Sequence, residues 1–516
     1  MKTAGIDIGT TTISGVVLEK GENGQAKILE AKTVENGCFV ETGNDWERIQ
    51  YAKEIVEKAV NLLDYFLEKY PDVERIGLTG QMHGIVYVDK EGNCVSPLYT
   101  WQDARGNICD GNQIPLTEEI RERCKIHAAS GYGLVTHIYN IRHNLVPDSA
   151  LSFCTIMDYF GIYLTGHKKP LVHVSNAAGF GFFDSHKMCF EKEKLAEMGV
   201  DVNWLPDVCM GIEKLGTYRG RTVTTAIGDN QASFLGAAGD EENILLVNMG
   251  TGGQISVLSS QYFSGDGIEA RPFLNRKYLL AGASLCGGKA YALLEQFFRK
   301  IVKEATGQDQ PLYKVMEKMA RTGKDLNSER SESRKIKVET TFDGTRVNPE
   351  KSGSITQVSS ENFTPEDFCY GVLKGMSTEL YQMYMTIQKG IGIKIRRMIG
   401  SGNGLRKNPV LCEIIEDMFK AELVLAECEE EAAMACVALC RRFNSFRVGS
   451  SNVCIPMLMR LKGRVRSMDT YSSVRSSGLA SRVISSACSV PYTSLIVRNI
   501  CSKSSWASCE GVPPPK

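Results

Sequence analysis

The chain runs to 516 residues, with 60 Lys and Arg against 60 Asp and Glu and a formal net charge of zero. That length predicts two to four domains with large buried cores, and the balanced charge excludes a polyelectrolyte partner such as nucleic acid for the chain as a whole. No apolar run reaches the ~18 residues a membrane-spanning helix needs, so no membrane association is expected. The 17 cysteines are scattered and never spaced C-x-x-C, which predicts free thiols in a reducing, cytoplasmic setting rather than a zinc site or a disulfide framework.

The first element is AGIDIGTTTISGVVLE, residues 4–19. A strand follows Met1-Lys2-Thr3 directly, which leaves no room for a signal peptide. The strand breaks at Gly9, meets Thr10, Thr11 and Thr12, and resumes. Residues 46–70 place apolar side chains at helical spacing. VERIGLTGQ and GIVYVD read as strands, and TEEIRERCKIHAAS as a helix capped by Thr117. LLVNMGTGGQISVLS, residues 245–259, repeats the outline of the opening hairpin, with Asn248, Gly250 and Thr251 in the places of Asp7, Gly9 and Thr10. The repeat predicts two related α/β domains, each opened by a β-hairpin. KAYALLEQFFRKIVKEA and TPEDFCYGVLKGMSTELYQMYMTIQK are predicted helices, with the polar residues 321–339 between them read as a surface insertion. From about Ser445 the chain is roughly a quarter serine and basic. Such a segment is either a partner arm, a disordered appendage or an aberrant extension of the reading frame.

Several motifs bear on chemistry. Glycine tips let backbone amides converge on an anion, and threonine hydroxyls add donors. Asp7 beside such a tip would repel phosphate unless a divalent cation bridged them. Two plain hairpins remain the alternative. In AIGDNQASFLGAAG, Asp229 is either a general base for an alcohol or the cap of the helix that follows. Gln81, Met82, His83, Trp101, Gln102, Asp103 and Arg105, from TGQMHG and TWQDARG, combine polar groups with an aromatic face and suit a polyol. His83 as a satisfied turn residue and Trp101 as core are the other readings. Gly287 and Gly288 precede a helix, and Gly402 and Asn403 follow a strand, where a flat or anionic ligand can lie against backbone. No Walker loop is present.

Taken in order, GIDIGTTT, GQMHG, TWQDAR, GDNQAS, VNMGTGGQ, SLCGGK and GSGNGLRKNPVL resemble the FGGY carbohydrate kinases, over residues 5–439. The resemblance implies an α/β, two-domain actin-like (ribonuclease H-like) ATPase fold, with a cleft between duplicated lobes at residues 1–240 and 241–443 and the tail at 444–516. It implies ATP-dependent phosphorylation of a ketose at a terminal hydroxyl, with Mg²⁺ as cofactor. Asp229 falls at the catalytic base. Gln81, Met82, His83, Trp101 and Asp103 fall on the sugar side. Gly9, Thr10, Thr11, Thr12, Gly250, Thr251, Gly252, Gly287, Gly288, Gly402 and Asn403 fall on the nucleotide side, and Asp7 is the metal-side acid. TWQDAR, NAAGFGFFD and RPFLNRKYLLAGASLCGG are most similar to members acting on sedoheptulose, while GQMHG is shared with those acting on xylulose. A second copy of the chain is a candidate partner. THIYNIRHNLVPD and EEEAAMACVALCRRF, with Met434 and Ala435, depart from the family pattern, so a catalytically impaired nucleotide-binding member is the third reading.

Overall fold

The computed structural model describes residues 1–20, 26–109, 111 and 114–426, which lie within one compact unit, Met1–Gly449. The Met434–Ala435 departure and the Ser-rich tail lie outside the described residues. Strands β1 (Lys2–Ile8), β2 (Thr12–Lys20) and β3 (Ala26–Glu35) form an antiparallel meander. Helix α1 (Ala52–Lys69) returns the chain to β4 (Val73–Gly80), which pairs parallel to β1. Ile55, Val56, Ala59, Leu62, Leu63, Phe66 and Leu67 give α1 one apolar face, and it packs on β1 and β2. Gly15 has no side chain for a reason: a Cβ there would lie 2.5 Å from the Phe66 ring.

Helices α2 (Ile156–Thr165) and α3 (Val174–Gly179) precede β5 (Lys214–Tyr218), β6 (Arg221–Thr224) and β7 (Ile227–Gly228). Helix α4 (Asp229–Ala238) then leads to the second sheet: β8 (Ile244–Met249), β9 (Gly253–Ser259), β10 (Ile268–Pro272) and β11 (Tyr278–Ser284). Helices α5 (Gly288–Thr306), α6 (Tyr313–Glu329) and α7 (Pro365–Ile391) follow, then β12 (Arg397–Ser401), α8 (Pro409–Phe419) and β13 (Leu423–Leu425).

The strand orders are β5-β6-β4-β1-β2-β3 and β10-β11-β9-β8-β12-β13. Each contains an antiparallel meander (β1-β2-β3, β8-β9-β11) followed by two parallel strands (β4 and β6, β12 and β13). The repeat read from the two hairpins is therefore a duplication of a whole sheet. Its tips differ slightly: the first closes on the pair Ile8 and Ile13, the second on Met249 and Gly253, one residue tighter. In both halves the tip lies beside the C-terminal end of a parallel strand, where ligands of α/β sheets bind.

Three local expectations need correction. The predicted helix begins at Ala52, because Ile49 and Gln50 pair instead with Tyr99 and Leu98. Thr117 is not a cap; its helix spans Leu116–Cys124 with Pro115 at the capping position. Residues 321–339 lie mostly on the surface as expected, but they are not an insertion between elements. They complete α6 and a strand, bury Asn327 and Val338, and Asn327 donates to the buried Asp367 at 2.7 Å. Most of their polar side chains face solvent, with Asn327 the buried exception.

Three buried titratable groups make stability depend on pH. Burial pushes His137 and His173 down to about 4 and Asp158 up to about 7. Each histidine excludes a proton that the unfolded chain takes up below about 6.5, so its contribution is lost as pH falls through that range. Asp158 works in the opposite sense, holding a proton the unfolded chain has released. The two histidines outweigh the one carboxyl by about one proton. Urea unfolding midpoints are expected to fall between pH 7 and pH 4.5; a flat or rising midpoint would contradict this assignment.

Candidate active site

The first hairpin tip is braced from several directions. Asn36 donates through Nδ2 to the Gly9 carbonyl at 2.8 Å, and its backbone N–H donates to Thr11. Gln50 Nε2 donates to the Thr10 carbonyl at 3.0 Å and Trp101 Nε1 to the Thr10 hydroxyl at 3.0 Å. The Thr10 hydroxyl donates to Gln81 Oε1 at 3.3 Å, and Gln81 Nε2 donates to Gln50 at 3.0 Å. Thr11 and Thr12 are exposed at the tip. Asp7 is the penultimate residue of β1, between Ser14 and Thr79 in register, while its counterpart Asn248 packs against Gly402.

Two of the residues assigned to the sugar are placed otherwise. Gln81 is buried and spends its amide on the tip. Asp103 is fully buried, accepting from the Arg48 backbone at 3.0 Å and from Arg105 Nε at 2.7 Å and Nη2 at 3.0 Å. A direct contact between Asp103 and a sugar is therefore corrected to a scaffolding position, because the Arg105 guanidinium already occupies its carboxylate. Trp101, by contrast, is 49% exposed, which excludes the core reading.

A cavity of about 480 Å³ lies between the halves of the chain. Met82, His83, Trp101, Tyr132, Ser175, Asn230 and Gln231 line it from the N-terminal half, and Gln254, Glu269, Arg271 and Arg346 from the C-terminal half. His83 has φ 72°, stacks on Tyr132 at 4.8 Å and meets the Gly179 carbonyl through Nδ1 at 2.8 Å. A carbonyl only accepts, so Nδ1 carries the proton. Burial lowers the affinity of the ring for a second proton, leaving Nε2 as an acceptor.

Asp229 immediately precedes Asn230 and Gln231. It is the first residue of α4, and Gly228 takes the capping position, so the cap reading of Asp229 is set aside. Its Oδ1 accepts from the Asn230 backbone and from Asn230 Nδ2 at 2.8 Å. The preceding loop is fixed twice over. Ser175 Oγ accepts from the Gly228 N–H at 3.0 Å and bonds His173 Nδ1 at 2.8 Å. Asn176 Nδ2 donates to both the Ala226 carbonyl and Asp158 at 3.3 Å.

A second cavity, about 720 Å³, is lined by Gly250, Thr251, Gly288, Lys289, Tyr291, Tyr313, Met376, Gly402, Asn403, Gly404, Asn408 and Leu411, among others. It collects five of the glycine-motif residues read from the sequence. Gly252 and Gly287 act behind it: a Cβ on Gly287 would lie 2.5 Å from the Gly252 oxygen. The first-turn amides of α5 hold the tip, Gly288 donating to Gly250 at 2.9 Å and Lys289 to Thr251 at 3.0 Å. Tyr291 is buried, and its hydroxyl meets no partner among the described residues. An aromatic, mainly apolar cavity beside a glycine tip fits a nucleotide.

A family model for the N-terminal domain of the FGGY carbohydrate kinases matches residues 3–246, and one for the C-terminal domain matches residues 245–440. The chain belongs to the FGGY family of carbohydrate kinases. Sedoheptulokinase from Mus musculus is 24% identical over 85% of this chain and 97% of its own length. Xylulose kinase from Haemophilus influenzae is 25% identical over 83% of this chain and 88% of its own. The crystal structure of xylulose kinase from Rhodospirillum rubrum superposes with a TM-score of 0.71 at 17% identity, covering 87% of this chain and 91% of that one. The fold is therefore the two-domain α/β ATPase fold with a cleft between duplicated lobes, and this FGGY chain is a sugar kinase whose family uses ATP as phosphate donor.

Among the described residues no group of three or more His, Cys, Asp or Glu could cage a metal, and no helix is long and apolar enough to cross a membrane. One carboxylate at the end of β1 fits a cation held mainly by phosphate oxygens and water, the usual mode for magnesium. The ten described cysteines are all free thiols.

Proposed function

We propose that the chain transfers the γ-phosphoryl group of ATP to the terminal hydroxyl of a ketose, with sedoheptulose as the preferred acceptor. The observation that carries this reading is the braced Asp229 carboxylate beside a polar cavity holding Met82, His83 and Trp101. The Asp229 carboxylate orients the acceptor hydroxyl and takes its proton as the oxygen attacks phosphorus. Trp101 covers a C–H face of the sugar and His83 Nε2 accepts from a hydroxyl. Amides and hydroxyls at Gly9, Thr10, Thr11 and Thr12, and at Gly250, Thr251 and Gly252, hold the phosphates, and Gly287, Gly288, Gly402 and Asn403 shape the nucleotide side. Mg²⁺ beside Asp7 supplies charge neutralisation on the β- and γ-phosphates when bound. Approach of the lobes, divided near residue 240, excludes water as a competing acceptor.

The same reading assigns the enzyme to the cytoplasm, in keeping with its free thiols, and a homodimer is the assembly to test. Leu293, Phe297 and Ile301, exposed four residues apart on α5, support such a contact. Xylulose is the second acceptor considered, because the xylulose kinase similarity spans most of the chain. Coupled ADP release with sedoheptulose, D-xylulose and D-ribulose tests the proposal. Sedoheptulose is expected to give the highest kcat/KM, with phosphate on its terminal carbon; no ADP release with any ketose would refute it.

A further inference from the structure

The sugar cavity contains a charged cluster that the proposed chemistry leaves unused. Arg271 Nη1 donates to Asn230 Oδ1 at 2.8 Å, linking β10 to the residue beside Asp229. Arg271 also grips Glu269 Oε2 through Nε at 3.0 Å and Nη2 at 2.8 Å. Glu269 Oε1 accepts from Arg346 Nη1 at 2.8 Å. The order from the proposed base outward is thus Asp229, Asn230, Arg271, Glu269, Arg346, each bonded to the next.

The last three come from the C-terminal half and line the same cavity as His83 and Tyr132. Arg271 is mostly buried, with 20% of its side chain exposed, but the outer pair of Glu269 and Arg346 is not a buried structural ion pair. Glu269 is 48% exposed and Arg346 45% exposed. Exposed ion pairs contribute little to stability, so a three-member cluster here needs another account. A carboxylate offers about four acceptor positions, so Glu269 retains capacity beyond its arginine bonds. A guanidinium offers several in-plane donors. Together they present alternating donors and acceptors, the pattern that matches vicinal hydroxyls.

We infer that Glu269 and Arg346, positioned through Arg271, recognise the hydroxyls of a ketose remote from its phosphorylated end, and so select acceptors longer than five carbons. This rests on the ketose kinase reading above. Glu269 and Arg346 are the outermost members of the chain of hydrogen bonds that begins at Asp229, so with the acceptor hydroxyl at Asp229 they would meet the far hydroxyls of a longer ketose rather than those beside the reacting carbon. A site built to hydrogen-bond a hydroxyl discriminates against an analogue lacking it, because its polar groups are then left without that partner. Because the cluster comes from the C-terminal half, a long acceptor also bridges the two halves.

The test compares wild type with Arg346→Ala and Glu269→Gln, measuring kcat/KM for sedoheptulose and D-xylulose at saturating ATP. The ratio of the two specificity constants is expected to fall about tenfold or more toward the shorter sugar, mainly through KM for sedoheptulose. The KM for ATP serves as a readout that a general structural defect would move, and Arg346→Lys should restore part of the ratio. An unchanged ratio in an active enzyme overturns the inference alone. Wild type that phosphorylates no ketose overturns it together with the kinase reading on which it rests.

Discussion

Asp229→Asn is expected to lower kcat by about a thousandfold while leaving ATP binding within a factor of about two. The substitution keeps shape and the two hydrogen bonds from Asn230, since the amide oxygen can accept both. What it removes is the ability to accept a proton. Geometry survives for a second reason: the loop before Asp229 is held by Ser175 and Asn176, neither of which touches the altered group. Steady-state ADP release, paired with calorimetric titration of ATP, separates the two effects. Turnover within tenfold of wild type would remove Asp229 from the base position. Equal loss of ATP affinity would mean that the residue serves the lobe interface instead.

The parts of this site that were legible in the sequence are those carried by contiguous segments. A strand that ends in a glycine tip and returns as a strand writes its own signature, so both hairpins and the duplication they imply were readable. Gly402 and Asn403 after β12 were readable for the same reason. The orientation of a polar side chain at a strand end was not. Gln81 and Met82 are adjacent, yet Gln81 turns to the hairpin tip and Met82 lines the cavity. Asp103 lay in a motif of polar residues, and its local pairing with Arg105, closed by the distant Arg48 backbone N–H, takes its carboxylate up. The contacts made by the other half of the chain were not legible locally. Arg271 opens the stretch RPFLNRKY, but its partner Asn230 is 41 residues away and Arg346 sits in a polar loop. Tyr291 lies in the predicted helix KAYALLEQFFRKIVKEA, and nothing in that segment marks a buried hydroxyl without a partner among the described residues.

The second large effect concerns how the nucleotide cavity is built. Gly287→Ala should weaken ATP binding through backbone sterics, by displacing the second hairpin tip rather than by removing any side chain. A Cβ at this position would lie 2.5 Å from the Gly252 oxygen and 2.5 Å from the Gly253 nitrogen. Both are backbone atoms, so no rotamer change relieves the clash, and the tip must move away from α5. That motion breaks the Gly288 to Gly250 and Lys289 to Thr251 hydrogen bonds that dock the second tip on the helix. Overpacking of this kind costs about 1–3 kcal/mol, and the altered tip should weaken ATP binding at least about tenfold. Gly250→Ala is the informative companion. Its Cβ meets nothing within 4 Å, so global stability should hold within about 0.5 kcal/mol, and any loss of affinity would come from the tip itself. Thermal midpoints with and without ATP distinguish the cases. Gly287→Ala should show a lowered midpoint and little rise on adding ATP, whereas Gly250→Ala should match wild type in the absence of nucleotide. Wild-type behaviour from Gly287→Ala would show that the tip need not be pressed against α5 for the nucleotide to bind.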